Sequence, residues 1–203
     1  VFTSTDTSCA LTEGGGLWCW GNRASGVAPA GQDCGNNEGN CEPTRVAGLT
    51  DVRRVWLGDS HICVVTGDEA RLHCWGMADN GQLGLAPEHE DLERCSPRND
   101  EFEYACLRRP RDLGMVGIED LALGDGFICR LIEGRVRCWG ADGYGELGIG
   151  LEDLQEDPWF HLVPDNDVDV DLPGTVSEIS TWYGTVCALL DDGRVYCWGS
   201  NGY

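Results

Sequence analysis

The sequence predicts an all-β chain of four-stranded antiparallel propeller blades, and three observations carry that prediction. A Cys-Trp-Gly triplet recurs at Trp20, Trp75, Trp139 and Trp198, in steps of 55, 64 and 59 residues. Each triplet's cysteine follows another by nine to eleven residues, as in Cys129 and Cys138 or Cys63 and Cys74, with a glycine-bearing turn between them. Short runs of alternating apolar and polar residues flank every pair. A fixed core at this period, joined by spacers of variable length, marks propeller blades or a solenoid rather than a single enzyme core.

The cysteine pairs define hairpins. With Cys187 opposite Cys197, Ala188 faces Tyr196, Leu189 faces Val195 and Leu190 faces Arg194. Asp191, Asp192 and Gly193 are then left as a three-residue turn ending on glycine. Cys129 opposes Cys138 across the two-residue turn Glu133-Gly134. Cys63 opposes Cys74 across a looser loop at Gly67, and Cys9 opposes Cys19 over Glu13 to Gly15. Opposed residues of antiparallel strands stand about 4.5–5.5 Å apart at Cα, within disulfide reach. A zinc site of His61, Cys63, His73 and Cys74 competes with this pairing. His73 and Cys74 are adjacent, however, so a strand sends them to opposite faces. The other three copies also keep both cysteines and lack the histidines.

Further strands bracket each hairpin. "LTDVRRVWLGDSHIC", "VGIEDLALGDGFIC" and "LPGTVSEISTWYGTVC" each read as an alternating segment, a polar or glycine kink and then the cysteine strand. Downstream, "GQLG" from Gly81 and "GELG" from Gly145 are tight turns that lead into another strand. Four short strands per repeat make a blade.

Charge and cysteine content bound the function. With 14 basic and 35 acidic residues the net charge is −21. Phosphate backbones and anionic membrane surfaces are disfavoured as partners, because both are held by Lys and Arg. Twelve cysteines, an even number at recurrent spacing, point to a disulfide framework and an oxidising compartment, outside the cell or at its surface. No apolar run is long enough to span a bilayer, so membrane insertion is not expected. Residue 1 is Val and the methionines are Met77 and Met115, so the chain reads as a trimmed product or a piece of a longer one.

The spacers hold the remaining candidate sites. Eight of the twelve cysteines fall in hairpins; Cys34 with Cys41 and Cys95 with Cys106 then close local loops. Residues 165–171, "DNDVDVD", space Asp165, Asp167, Asp169 and Asp171 alternately. A calcium ion would relieve their repulsion on one strand face, but the turn glycine and distal Glu of a calcium loop are missing. A calcium site and a solvated acidic loop both stand as readings. Trp159 and Phe160 interrupt an acidic spacer, and Trp182 and Tyr183 precede a cysteine strand. Loop aromatics of this kind suit a protein or sugar contact; packing beneath their own loops is the alternative. No carboxylate is singled out by a His or Ser partner, and no glycine loop joins a strand to a helix, so no catalytic set is expected.

The repeated motif resembles the regulator-of-chromosome-condensation (RCC1-like) repeat family. The resemblance rests on "LGDSHIC" with "CWGMADNGQLG" and on "CALLDDGRVYCWGSNGY", and it extends over nearly the whole chain. It looks most like the secreted bacterial kind, in which cysteines precede Trp-Gly and stand in the opposing strand. It implies a propeller, usually of seven blades. In that register the repeats run about 1–30, 31–86, 87–150 and 151–203, Val1 enters at the third strand of a blade, and the motif is interrupted at Tyr203. About three and a half blades are then present, part of a larger propeller or assembly. The first copy departs from the pattern, with "GNRASGVA" in place of Gly-Gln-Leu-Gly, and the motif's histidine occurs only at His61. The family's founder exchanges nucleotide on a small GTPase and docks on chromatin; an acidic, cysteine-rich chain does not suit either role, so only the fold is carried over. The expected function is an extracellular protein-binding or structural scaffold module of a cell-surface or assembled structure. It would bind a protein partner, further copies of itself or a carbohydrate. A secreted protein inhibitor of an enzyme and a propeller hydrolase with paired carboxylates are the competing readings.

Overall fold

The computed structural model describes residues 1–5, 7–22, 39–95, 103–150, 161–162 and 168–201. These residues form strands, turns and bends, with no helix among them. They divide into two compact units, Val1–Asp79 with Pro87–Gly117 and Asn80–Ala86 with Ile118–Tyr203.

The first unit holds two antiparallel sheets. One orders β1 (Phe2–Thr3), β2 (Thr7–Leu11), β3 (Leu17–Asn22) and β4 (Gly39–Arg45) in sequence. The other is built from β5 (Val52–Leu57), β6 (His61–Thr66), β7 (Arg71–Met77), β8 (Glu93–Cys95) and β9 (Tyr104–Asp112), in the order β5-β6-β7-β9-β8. In the second unit, β10 (Asp120–Leu123), β11 (Phe127–Ile132) and β12 (Arg135–Ala141) line up. Both β13 (His161–Leu162) and β14 (Val168–Asp169) pair with β12. The last sheet is β15 (Val176–Trp182), β16 (Thr185–Leu190) and β17 (Val195–Gly199).

Each cysteine hairpin supplies two successive strands in the expected register. Cys9 opposes Cys19, Cys63 opposes Cys74, Cys129 opposes Cys138, and Cys187 opposes Cys197. Disulfides join all four pairs at Cα separations of 4.0–4.2 Å. Glu133 and Gly134 both take positive φ, 50° and 71°, the two-residue turn whose twist matches a hairpin. Gly193 closes the three-residue turn at φ 87°. The bridge Cys95–Cys106 ties β8 to β9. The pairing expected between Cys34 and Cys41 lies outside the described residues.

The repeat is phased differently from the sequence reading. Val1 does not enter at a third strand: Phe2 and Thr3 pair with Cys9 and Ser8, forming the outer strand of the first sheet. The strands β4, β9 and β14 follow the Trp-Gly loops, so three of the sheets described take a strand beyond the cysteine hairpin from residues that the sequence periods assign to the next repeat. A two-residue strand such as β1 carries too little alternation to be read locally. Only its pairing with β2 reveals it.

The Trp-Gly pair organises each blade. Trp75 and Trp139 are buried. Burying a Trp removes roughly 150–250 Å² from water, about 4–6 kcal/mol at most on a transfer scale. The glycine that follows opposes the first residue of the preceding strand: Thr7 with Gly21, His61 with Gly76, Phe127 with Gly140 and Thr185 with Gly199. At Gly76 φ is 113°, and a Cβ there would stand 2.5 Å from the Ser60 carbonyl oxygen. A glycine is therefore required by conformation and by space together. Gly140 and Gly199 repeat the arrangement against the carbonyls of Gly126 and Gly184.

Candidate interaction site

In the second unit these clamped glycines bring two kinds of turn together. The residue after each glycine donates its backbone N–H to the turn between first and second strands: Ala141 to the Gly126 oxygen and Ser200 to the Gly184 oxygen, each at 2.9 Å. The Gly-x-Leu-Gly segments pack over the same turns. Leu83 and Leu147 are fully buried, and the carbonyl of the residue before each accepts a tryptophan indole N–H. Trp139 donates to Gln82 at 2.9 Å and Trp198 donates to Glu146 at 2.8 Å. The Asn80 side-chain amide thus lies over Gly126, and the Glu146 Oε1 lies over Gly184.

The result is a cleft of about 290 Å³ lined by Asn80, Asp125, Tyr144, Glu146, Tyr183 and Ser200, with Ala141, Gly143 and Gly184 as its backbone walls. Tyr144 and Tyr183 are 69% and 53% exposed. Trp182, at 68%, meets the Tyr183 ring edge-on, with centroids 5.2 Å apart. Among the described residues no Lys or Arg lines the cleft. Tyr183 has φ 54°, a left-handed conformation that the turn would fill more easily with glycine. An exposed aromatic held there at a cost of about 1–3 kcal/mol points to a use for its ring.

The floor of the cleft is acidic. Glu146 is 94% buried (6% exposed); its Oε2 accepts the Tyr144 backbone N–H at 2.7 Å. Burial pushes its carboxyl above the ordinary carboxylate range, and the charges of Asp142 and Asp125 push it further. Asp142, buried beneath, accepts the Leu147 N–H at 2.9 Å, and burial raises its carboxyl as well. Two buried acids under two tyrosines form a site of negative potential that no basic group among the described lining residues compensates.

Of the expected contact residues, Tyr183 lines this cleft and Trp182 packs edge-on against Tyr183, whereas Trp159 and Phe160 lie outside the described residues. Tyr144, Asp125, Asn80 and Glu146 were not singled out by the sequence reading. The signal was available: Tyr144 is a large aromatic in the glycine-rich approach to "GELG", where a buried side chain has no room.

The acidic run is split in the same way. Asp165 and Asp167 lie outside the described residues. Asp169 is ion-paired with Arg137 and with Arg135, and the hydrogen bond from Arg137 holds its carboxyl below the usual range. With Asp171 it borders a separate concavity of about 680 Å³ beside the Glu133-Gly134 turn. Among the described residues no group of three or more His, Cys, Asp and Glu could hold a metal. His61 is buried, with neither ring nitrogen hydrogen-bonded, and Cys63 is bonded to Cys74, as in the disulfide reading of that pair.

Comparison with known proteins places the architecture. Residues 183–203 match the model of the "Regulator of chromosome condensation (RCC1) repeat". The chain is 27% identical to Protein pim1 of Schizosaccharomyces pombe over 98% of its own length and 36% of that protein. It is 28% identical to the Ultraviolet-B receptor UVR8 of Arabidopsis thaliana over 97% of its length and 40% of that protein. It therefore spans about two fifths of each of these two relatives. These relatives are eukaryotic, in contrast to the secreted bacterial resemblance read from the cysteines. The solved structure of yeast RCC1 (Prp20) bound to Kap60 superimposes with a TM-score of 0.73 at 21% identity, covering 96% of this chain and 42% of that one. The fold of the chain is that of RCC1-type β-propeller blades, and the match to the RCC1 repeat model falls on residues 183–203.

Proposed function

We propose that this chain is an array of RCC1-type repeats that serves as a protein-binding scaffold in an oxidising, extracytoplasmic compartment, as part of a larger propeller or assembly. The observation that carries the reading is the exposed aromatic group Tyr144, Trp182 and Tyr183 around an acidic cleft, mounted on turns that glycine clamps and hairpin disulfides hold rigid. A rigid surface loses little entropy on binding, and exposed Tyr and Trp supply contact area with few rotors. The compartment is supported by five disulfides with no free cysteine among the described residues, and by the paired spacing of the cysteines beyond them. The same usage favours the secreted cysteine-containing branch of the repeat family. The likeness to a structure of yeast RCC1 bound to Kap60 supports a protein as the class of ligand. The yeast partner itself is not carried over.

A scaffold role without chemistry fits the histidines. His61 is sealed in the core, and among the described residues no acid–base pair opens on the cleft besides mutually repelling carboxylates. The test is cross-linking on intact host cells with a membrane-impermeant reagent, comparing wild type with a Tyr144→Ala, Trp182→Ala, Tyr183→Ala triple variant. A specific cross-linked partner, lost in the variant, is expected. Protection of the chain from the reagent in intact cells, with labelling after lysis, would place it in the wrong compartment and overturn the reading.

A further inference from the structure

We infer that the cleft bordered by Tyr144, Tyr183, Asp125 and Glu146 receives a single basic side chain, Lys or Arg, projecting from the partner protein. This deepens the binding reading above and rests on it. Charge complementarity selects the occupant. The chain carries a net charge of −21, and the cleft gathers Asp125 at its wall, Glu146 at its floor and Asp142 below, with no cation among the described lining residues. Glu146 uses Oε2 on the Tyr144 N–H, while Oε1 is directed over Gly184, a wall of the cleft. The 94% burial of Glu146 (6% exposed) makes a hydrogen bond from a cation stronger there than at a solvated acid. Burial first, and the like charges of Asp142 and Asp125 after it, raise its carboxyl, and an entering ammonium or guanidinium would bring it down.

Shape narrows the class. Two exposed tyrosine rings at the cleft offer faces to a cation, the arrangement in which Arg and Lys gain most from aromatic contact. A volume of about 290 Å³ is at the lower edge of small-molecule pockets, so a free ligand would be weakly enclosed. The adjoining Trp182 extends the aromatic surface beyond the cleft, which suits a partner that covers it with a protein face. The left-handed Tyr183 is then accounted for: its backbone conformation presents a ring where glycine would be easier for the fold.

The experiment is selection of a random dodecapeptide library on the full, oxidised chain, followed by affinity measurement of the selected peptides. The expected peptides carry a Lys or Arg whose replacement by Gln weakens binding at least about ten-fold. The same loss should follow Glu146→Gln and Tyr183→Gly in the chain, and binding should weaken as salt rises. Tyr183→Gly is chosen because it relieves the positive φ, so its melting temperature should hold or rise while binding falls. Glu146→Gln keeps the shape. Peptides that bind at the cleft but tolerate loss of every basic residue would overturn this inference and leave the protein-binding reading intact. Selected peptides indifferent to all cleft variants would overturn both. Saturable binding of n-butylammonium or free arginine as tight as the peptides would make the cleft a small-molecule site and overturn the inference in the other direction.

Discussion

The strands β12 and β17 carry nearly the same sequence, "RVRCWG" and "RVYCWG", and end in different surroundings. Both pair with a cysteine strand in the same register and both are stapled to it. On β12, the Val170 N–H donates to the Val136 carbonyl at 2.9 Å, and Val136 is 1% exposed. The first unit repeats this outer pairing twice, Leu113 on Leu72 and Val46 on Leu17, and those leucines are 0% and 1% exposed. On β17 no outer strand is present among the described residues, and Val195 is 62% exposed. The local sequence sets the hairpin and its register. Burial of the same valine depends on a strand that arrives from elsewhere in the chain.

The preceding strands differ in parallel. Phe127 is sealed against Gly140, while Thr185 is half-buried and donates its hydroxyl hydrogen to the Ser200 carbonyl at 2.7 Å. In the first unit the same position is His61, sealed with both ring nitrogens unpaired.

The sharpest way to break the comparison is at the tryptophans. Trp139→Ala should cost about 3–5 kcal/mol, and Trp198→Ala, only partly buried, clearly less. Urea denaturation of the two variants would measure it, and equal losses would show that burial is not what distinguishes the strands.

His61 sharpens it through pH. Burial lowers its pKa from 6.5 to about 4, against a smaller opposing pull from Asp59. The folded state therefore favours the neutral ring. Its contribution is complete above about pH 6.5, where the unfolded chain is also neutral, and is lost as pH falls towards 4 and the unfolded chain takes up the proton. The loss amounts to about 3 kcal/mol. His61→Phe, which installs the residue of the second unit, should flatten the fall in melting temperature over that window. An unchanged pH profile in the variant would show that His61 is not the responsible group. Asp142 and Glu146, with carboxyls raised by burial, contribute with the opposite sign as the solution is acidified.

The valines come next. Val136→Ala should cost about 1–3 kcal/mol and Val195→Ala no more than about 0.5 kcal/mol. The smallest effect is expected at Asp169, whose ion pair with Arg137 leaves both side chains 41% exposed. Asp169→Asn should cost under about 1 kcal/mol and less in high salt; a larger loss would mean that the carboxylate supports β14 rather than merely decorating it.

The blade was legible in the sequence because its determinants are local. The turn Asp191-Asp192-Gly193, the opposition of Cys187 and Cys197, and the glycine after each Trp depend on residues within a hairpin of one another. The cleft was half legible. Trp182 and Tyr183 stood out as aromatics at a turn, but Tyr144 and Glu146 reach them only through the clamp of Ser200 on Gly184 and the indole bond of Trp198 to Glu146.

By itself, then, the sequence determined hairpin register, disulfide partners within hairpins, turn types and the acidic surface, since period-two alternation and turn chemistry act over a few residues. Tertiary structure alone decided where the blades begin, which valine is buried, and which acid meets which ring. Outer strands such as β4, β9 and β14 pair with residues 17 to 39 positions earlier, and a contact at that separation leaves no local pattern in either partner.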